Sequence, residues 1–84
     1  VFQHSYVVFY LHFYFILSNL IIEYLKKFNS AKKKDIRVLL WDKLPDILDD
    51  KQKERKIGNL LASLKKEKII KTNISDRTEW ILNG

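Results

Sequence analysis

The sequence predicts an α+β domain, mainly α, in which three helices precede a C-terminal β-hairpin. The prediction rests on a change of period: apolar residues recur at helical spacing over residues 17–64, and at a spacing of two after residue 69. The chain has 84 residues and no cysteine, so its stability must come from one small core. We assign residues 16–84 to this domain and residues 1–15 to an apolar aromatic extension.

The N-terminal segment is unusually apolar. Residues 6–17, YVVFYLHFYFIL, are rich in aromatic and β-branched side chains, and with the following SNLIIEYL they approach the roughly 20 residues of a membrane span. However, His12, Ser18, Asn19 and Glu23 interrupt the run, and no basic region precedes it. We therefore expect a core helix or strand, or a segment that covers a second copy of the domain, in preference to a membrane span.

The first helix has a stripe of apolar residues at i, i+3, i+4, i+7, i+8 and i+11. These residues are Leu17, Leu20, Ile21, Tyr24, Leu25 and Phe28. Asn29 and Ser30 are predicted to end the helix, because their side chains favour turns.

The second helix is predicted before Pro45, because proline disfavours helical geometry in the preceding residue. Its apolar residues are Ile36, Leu39, Leu40 and Leu44. The connector that follows offers Ile47 and Leu48 to the core. At the start of this helix lie Lys32, Lys33 and Lys34, where cations oppose the helix dipole. An anionic partner would compensate for this arrangement, and a solvated lysine run is the alternative.

The third helix is predicted from about Asp50 to Glu67, with Asp49 and Gln52 forming a capping box. Its inward face contains Ile57, Leu60, Leu61 and Leu64. Gly58 lies in mid-helix, where glycine costs about 1 kcal/mol relative to alanine. We expect the close approach of another helix to explain it.

The opposite face of the third helix mixes cations with amides and contains almost no acid. It collects Gln52, Arg55, Asn59 and Lys66, with Lys51, Lys56, Ala62 and Ser63 on its flanks. A face built only for solubility usually alternates Glu and Lys four residues apart. Long cations suit phosphates, and Arg, Asn and Gln can form paired hydrogen bonds to base edges. The pattern favours nucleic-acid contact, with a plain solvated face as the alternative.

The C-terminal hairpin is predicted from two runs of period two. Ile70, Thr72 and Ile74 share one side of the first run, and Trp80 shares a side with Leu82 in the second. The turn, residues 75–77, places Arg77 at the tip. We expect Trp80 to close the core over the third helix.

Enzymatic chemistry is not indicated. His4 and His12 are the only histidines, and neither a cysteine nor a set of carboxylates accompanies them as a metal site requires. The two glycines, Gly58 and Gly84, cannot form a phosphate-binding loop. The sequence therefore predicts no enzyme, no cofactor, no metal and no small-molecule ligand.

Residues 14–83 resemble a known module. The stretches KLPDIL, QK, KIGNLL and LKKEKI, with the closing EWIL, are similar to the winged helix-turn-helix domain at the C-terminal end of bacterial and archaeal transcriptional regulators of the helicase-related, divergent AAA/AlbA type. The resemblance implies a third helix in the DNA major groove and a hairpin, the wing, along the adjacent backbone or minor groove. The turn NISDRTEW is short and lacks Gly and Pro, so we expect a short wing.

Two hypotheses follow from the charge distribution. Residues 26–84 hold all 16 Lys and Arg residues against nine acidic residues, a net charge of +7, which favours an anionic partner. The leading hypothesis is a cytoplasmic DNA-binding module of a transcriptional regulator. The alternative is an interaction module that forms a homodimer through residues 2–25, in which the lysines only confer solubility. Modules of this fold also mediate protein contacts, so both remain open.

The DNA hypothesis assigns roles to several polar residues of the third helix and to cations outside it. Gln52, Arg55 and Asn59 read the groove, and Ser63 lies on the flank of the same face. The residues expected to hold phosphates are Lys32, Lys33, Lys34, Lys51, Lys56 and Lys66, and Arg77 is expected to touch the backbone from the wing.

Overall fold

The computed structural model describes the backbone of residues 2–83 and the side chains of residues 13–83. Within these residues the chain forms three helices and a three-stranded antiparallel sheet. The elements are α1 (Phe2–Phe28), β1 (Ala31–Lys32), α2 (Lys33–Trp41), α3 (Asp50–Lys66), β2 (Ile70–Thr72) and β3 (Glu79–Leu82). The predicted α+β, mainly helical class is confirmed, and the layout is consistent with a winged-helix-like arrangement.

α1 is one continuous helix of 27 residues, so the predicted boundary between residues 15 and 16 falls inside it. Leu17, Ile21 and Leu25 are buried, as the predicted stripe requires. The helix ends where Asn29 adopts a φ of 71°, and its backbone N–H donates to the carbonyl of Leu25 at 2.8 Å. Asparagine tolerates this left-handed conformation better than most residues, so the predicted helix end is confirmed.

The last residue of the predicted α1 stripe is not buried. Phe28 is 53% exposed, and its ring lies against Tyr24 with 4.6 Å between the centroids. The predictions for the side chains of residues 1–12, including His4 and His12, lie outside the described residues. In the part of the chain that the structure describes, no helix combines the length and apolarity needed to cross a membrane.

β1 is an addition to the predicted architecture. The strand order is β1-β3-β2, and β1 pairs antiparallel with β3, with Ala31 opposite Trp80 and Lys32 opposite Glu79. Two residues are too few to show an alternation of period two, so the sequence contains no usable signal for this strand. Its role in packing is clear from Ala31, which is buried in the core.

α2 is shorter than predicted and ends at Trp41, three residues before Leu44. Leu44 is nevertheless buried, because turns continue beyond the helix and its N–H donates to the carbonyl of Trp41 at 3.3 Å. The prediction that Ile47 fills the core is wrong, since this side chain is 90% exposed. Leu48, the other candidate in the connector, is partly buried.

α3 confirms its predicted start and its predicted inward face. The backbone N–H of Gln52 donates to Oδ1 of Asp49 at 2.8 Å, and the N–H of Asp49 donates to Oε1 of Gln52 at 2.9 Å. These reciprocal bonds form the expected capping box. The buried residues of α3 are Ile57, Leu60, Leu61 and Leu64. The explanation offered for Gly58 is wrong, because a Cβ at this position would meet no atom of the described residues within 4 Å outside its own helix backbone and chain neighbours.

The predicted hairpin is present, with β2 paired to β3 and Thr72 opposite Trp80. Trp80 is partly buried against the core, as predicted, and Nζ of Lys65 in α3 lies 6.0 Å from the centroid of its ring. Ile74 lies beyond the end of β2 and is 89% exposed. It therefore does not share the core side with Ile70.

Candidate nucleic-acid interface

The exposed side of α3 follows directly from its buried side. Because a helix turns about 100° per residue, burial of Ile57, Leu60 and Leu64 directs the opposite positions to solvent. We call the six exposed residues on that side the α3 outer face. They are Lys51, Gln52, Arg55, Asn59, Ala62 and Lys66. Seven of the predicted DNA contacts thus lie on α3 outside this core side with exposed or partly exposed side chains, and five of them belong to the α3 outer face.

The cations of the α3 outer face are not neutralised by neighbouring acids. Among the described residues, neither Arg55 nor Lys66 forms an ion pair. The one acid in the middle of this segment, Glu54, instead pairs with Arg37 of α2. The positive charge on this side of the helix therefore remains available to an anion, and it acts at longer range than a paired charge would.

Gln52 combines its predicted DNA contact with a structural role. Its Oε1 accepts the N–H of Asp49, so the amide is held at the N-terminal cap of α3. A bidentate contact with adenine uses both the oxygen and the nitrogen of such an amide. Base reading by Gln52 would therefore require this cap bond to break. The amide of Asn59 and the guanidinium of Arg55 have no role in the cap, so they are better placed to contact bases.

Three of the predicted contacts lie beside α1. A cavity of about 70 Å³ separates the N-terminal half of α1 from α3, and we call it the α1–α3 groove. Its lining residues are Phe13, Tyr14, Leu17, Leu44, Lys56, Asn59, Leu60 and Ser63. Lys56 and Ser63 are partly buried here, whereas Asn59 lies at the edge shared by the groove and the α3 outer face. The predicted site is thus divided into an open face and a groove wall.

The lysine run and the loop between β2 and β3 lie close together. Lys32, Lys33 and Lys34 are exposed at the N-terminus of α2, and the pairing of Lys32 with Glu79 brings the run beside the start of β3. Arg77, in the loop just before β3, is exposed as well. The structure therefore brings these four predicted cations to one end of the sheet.

The loop that carries Arg77 is ordered by its neighbours. Oδ1 of Asp76 accepts the backbone N–H of Thr78 at 3.0 Å and the hydroxyl of Thr78 at 2.6 Å. These hydrogen bonds favour the ionised carboxylate and lower the pKa of Asp76 below its ordinary value of 3.8, with a smaller contribution from the charge of Lys32. At neutral pH the ionised Asp76 therefore accepts both hydrogen bonds of this turn.

A cation cluster around Trp41 has no counterpart in the sequence-based prediction. The guanidinium carbon of Arg37 lies 4.9 Å from the centroid of the Trp41 ring, and Nζ of Lys53 lies 5.2 Å from it. The first contact joins neighbouring turns of α2, so the spacing of Arg37 and Trp41 is a signal that the sequence does contain. The second contact joins α2 to α3 and cannot be found without the fold.

The site offers recognition by charge and hydrogen bonds. Among the described side chains, no group of three His, Cys, Asp or Glu residues could hold a metal ion.

Comparison with known proteins does not assign the chain to a family. No family model matches the sequence, and no curated protein or solved structure matches it.

Proposed function

We propose that the chain is a winged-helix module that binds duplex DNA, with the α3 outer face in the major groove. The observation that carries the proposal is the side of α3 opposite the core. It combines the exposed amide of Asn59 with the cations Arg55 and Lys66, which form no ion pair within the part of the chain that the structure describes. Cations of this kind bind phosphates, and Arg and Asn supply the paired hydrogen bonds that distinguish base edges.

Phosphate contacts extend the proposed interface beyond α3. Lys51 and Lys66 lie at opposite ends of the α3 outer face, and the lysine run at the N-terminus of α2 with Arg77 provides a second group of cations. In a helix-turn-helix arrangement the helix before the recognition helix crosses the DNA backbone, which is where such a run is useful. The function that follows is that of a cytoplasmic transcription regulator or of one of its domains.

A charge-reversal experiment tests this proposal. Replacement of Arg55 and Lys66 by Glu should abolish binding of a fluorescent duplex in an anisotropy titration, because it removes one cation expected to contact bases and one expected to hold a phosphate, and adds two repelling charges. The matched control replaces Lys26 and Lys43 by Glu, which changes the net charge equally but leaves the α3 outer face intact.

Comparison of the two variants distinguishes direct contact of α3 with DNA from a general effect of net charge. The proposal predicts that the control retains most of the affinity of the wild-type chain. Equal binding by the Arg55/Lys66 variant and the wild type would show that α3 does not contact DNA. Equal loss in both variants would show that only the overall positive charge attracts the duplex.

A further inference from the structure

The ends and the centre of the α3 outer face differ in chemistry. Lys51 and Lys66 lie at the two ends, about 22 Å apart at a rise of about 1.5 Å per residue. Between them lie Arg55, Asn59 and Ala62, all exposed. Lysine acts as a point charge that suits phosphate oxygens, whereas Arg and Asn each offer a pair of directed hydrogen bonds. The face therefore divides into two ends suited to phosphates and a centre suited to base edges.

Gln52, the remaining polar residue of this face, is engaged within the chain. Its Oε1 accepts the backbone N–H of Asp49 at 2.9 Å, which fixes the amide at the N-terminal cap of α3. In the part of the chain that the structure describes, no hydrogen bond or ion pair holds the side chain of Arg55 or Asn59. These two side chains are thus the ones that can give all of their hydrogen bonds to bases.

The spacing of Arg55 and Asn59 determines how far apart their bases lie. Four residues turn the helix by about 400°, so both side chains leave the same side of α3. Over the same four residues the helix rises about 6 Å, whereas base pairs follow one another every 3.4 Å or so along the duplex, about 3.4 Å per step. The two side chains therefore reach base pairs that are one or two steps apart. Ala62 lies about 4.5 Å farther along the helix axis than Asn59, which is close to one further step.

Given the proposed binding of duplex DNA, on which this inference rests, we propose that α3 reads a G·C pair with Arg55 and, one or two steps away, an A·T pair with Asn59. In the major groove, Arg donates two hydrogen bonds to O6 and N7 of guanine, and the Asn amide pairs with N6 and N7 of adenine. The exposed methyl group of Ala62 contacts the 5-methyl group of a thymine in the next base pair. Lys51 and Lys66 hold phosphates on either side and add no sequence preference.

Selection from a duplex library with about eight random central base pairs tests these assignments. The wild-type chain should enrich duplexes in which a G·C pair lies one or two steps from an A·T pair. Arg55→Ala should lose the preference for G·C and keep that for A·T, and Asn59→Ala should do the reverse. Each loss should lower discrimination at its position by about fivefold or more. The preference that each variant keeps shows that it still folds and binds.

The matched control is Lys66→Gln, which removes a cation from the same face. Because a phosphate contact carries no sequence information, this variant should weaken binding to all duplexes alike and leave the enriched sequence unchanged. A change of the enriched sequence in Lys66→Gln, equal to that in Arg55→Ala, would contradict the division of the face into phosphate-binding ends and a base-reading centre.

The contact with thymine is tested by base substitution in the selected duplex. Uracil differs from thymine in lacking the 5-methyl group, so uracil at the position assigned to Ala62 should weaken binding of the wild-type chain by about two- to fourfold. Ala62→Gly should bind the thymine and uracil duplexes equally, because the methyl group of the protein is gone. Equal binding of both duplexes by the wild type would overturn the role of Ala62.

The possible results distinguish the base assignments from the proposed function itself. A wild-type chain that binds no duplex would overturn both. Binding without enrichment, or enrichment of A·T pairs alone, would overturn the base assignments and leave phosphate contact by α3 in place. Enrichment that neither Arg55→Ala nor Asn59→Ala changes would do the same.

Discussion

Gly58 occupies a helical position where its lack of a side chain serves no visible purpose. It lies in the middle of α3, and a Cβ there would meet no atom within 4 Å in the part of the chain that the structure describes, apart from its own helix backbone and chain neighbours. Replacement by alanine should therefore raise the free energy of unfolding by about 1 kcal/mol, through the backbone entropy that glycine loses on folding. Urea denaturation measures the change. The reverse substitution Ala62→Gly, at an exposed position of the same helix, should lower it by a similar amount.

The outcome for Gly58 also tests the packing of α3. A loss of stability in Gly58→Ala would mean that another part of the molecule approaches this position closely, as the sequence suggested. A glycine in mid-helix suggests close packing, but the sequence alone does not show whether another element actually approaches it. That distinction depends on where neighbouring elements lie, which only the fold supplies.

Asp76 provides the one residue-scale prediction that depends on pH. The N–H and hydroxyl of Thr78 hold its pKa below 3.8, so its ionised form favours the folded turn. This contribution to stability is complete above pH 3.8 and disappears as the pH falls through the lower, folded-state pKa. An NMR titration of the Asp76 carboxyl should give a pKa below 3.8 in the wild type and a higher one in Thr78→Val. Identical values in both proteins would contradict the assigned cause.

At the scale of the element, the N-terminal cap of α3 should be measurable by itself. Asp49→Ala removes the acceptor for the N–H of Gln52 and should lower the free energy of unfolding by about 1 kcal/mol. The control is Asp50→Ala, which removes an acid from the first turn but leaves the capping box intact. Thermal or urea denaturation should show a clearly smaller loss for the control. Equal losses would indicate a general effect of charge on the helix dipole.

Elements with their own local signal were predictable, and elements defined by their partners were not. The capping box located the start of α3, and Asn29 located the end of α1. The end of α3 has no comparable marker, because the left-handed residue beyond it is Lys68, with a φ of 63°, where glycine or asparagine is usual. β1 exists only through its pairing with β3, and Ile47 is exposed because the chain leaves α2 earlier than Pro45 requires.

At the scale of the whole molecule, the sequence predicted the part of the candidate site that depends on one helix, but not the part that depends on packing between helices. Helical spacing alone placed Arg55, Asn59 and Lys66 on one exposed side of α3, and the structure confirms that placement. Helical spacing could not show that Ser63 lines a groove with α1, because the position of α1 beside α3 depends on packing between distant segments. The contact of Lys53 with Trp41 could not be predicted for the same reason, since Lys53 reaches the ring from another helix.

The most direct test of nucleic-acid binding by the α3 outer face is the salt dependence of duplex affinity. We expect the logarithm of the binding constant to fall linearly with the logarithm of salt concentration, with a slope of about −4 to −6 for some five or six phosphate contacts. Lys51→Gln/Lys66→Gln should make that slope less negative by about two, one unit for each lost phosphate contact. A slope that is the same in this variant and the wild type, or wild-type binding that does not respond to salt, would contradict the proposed interface.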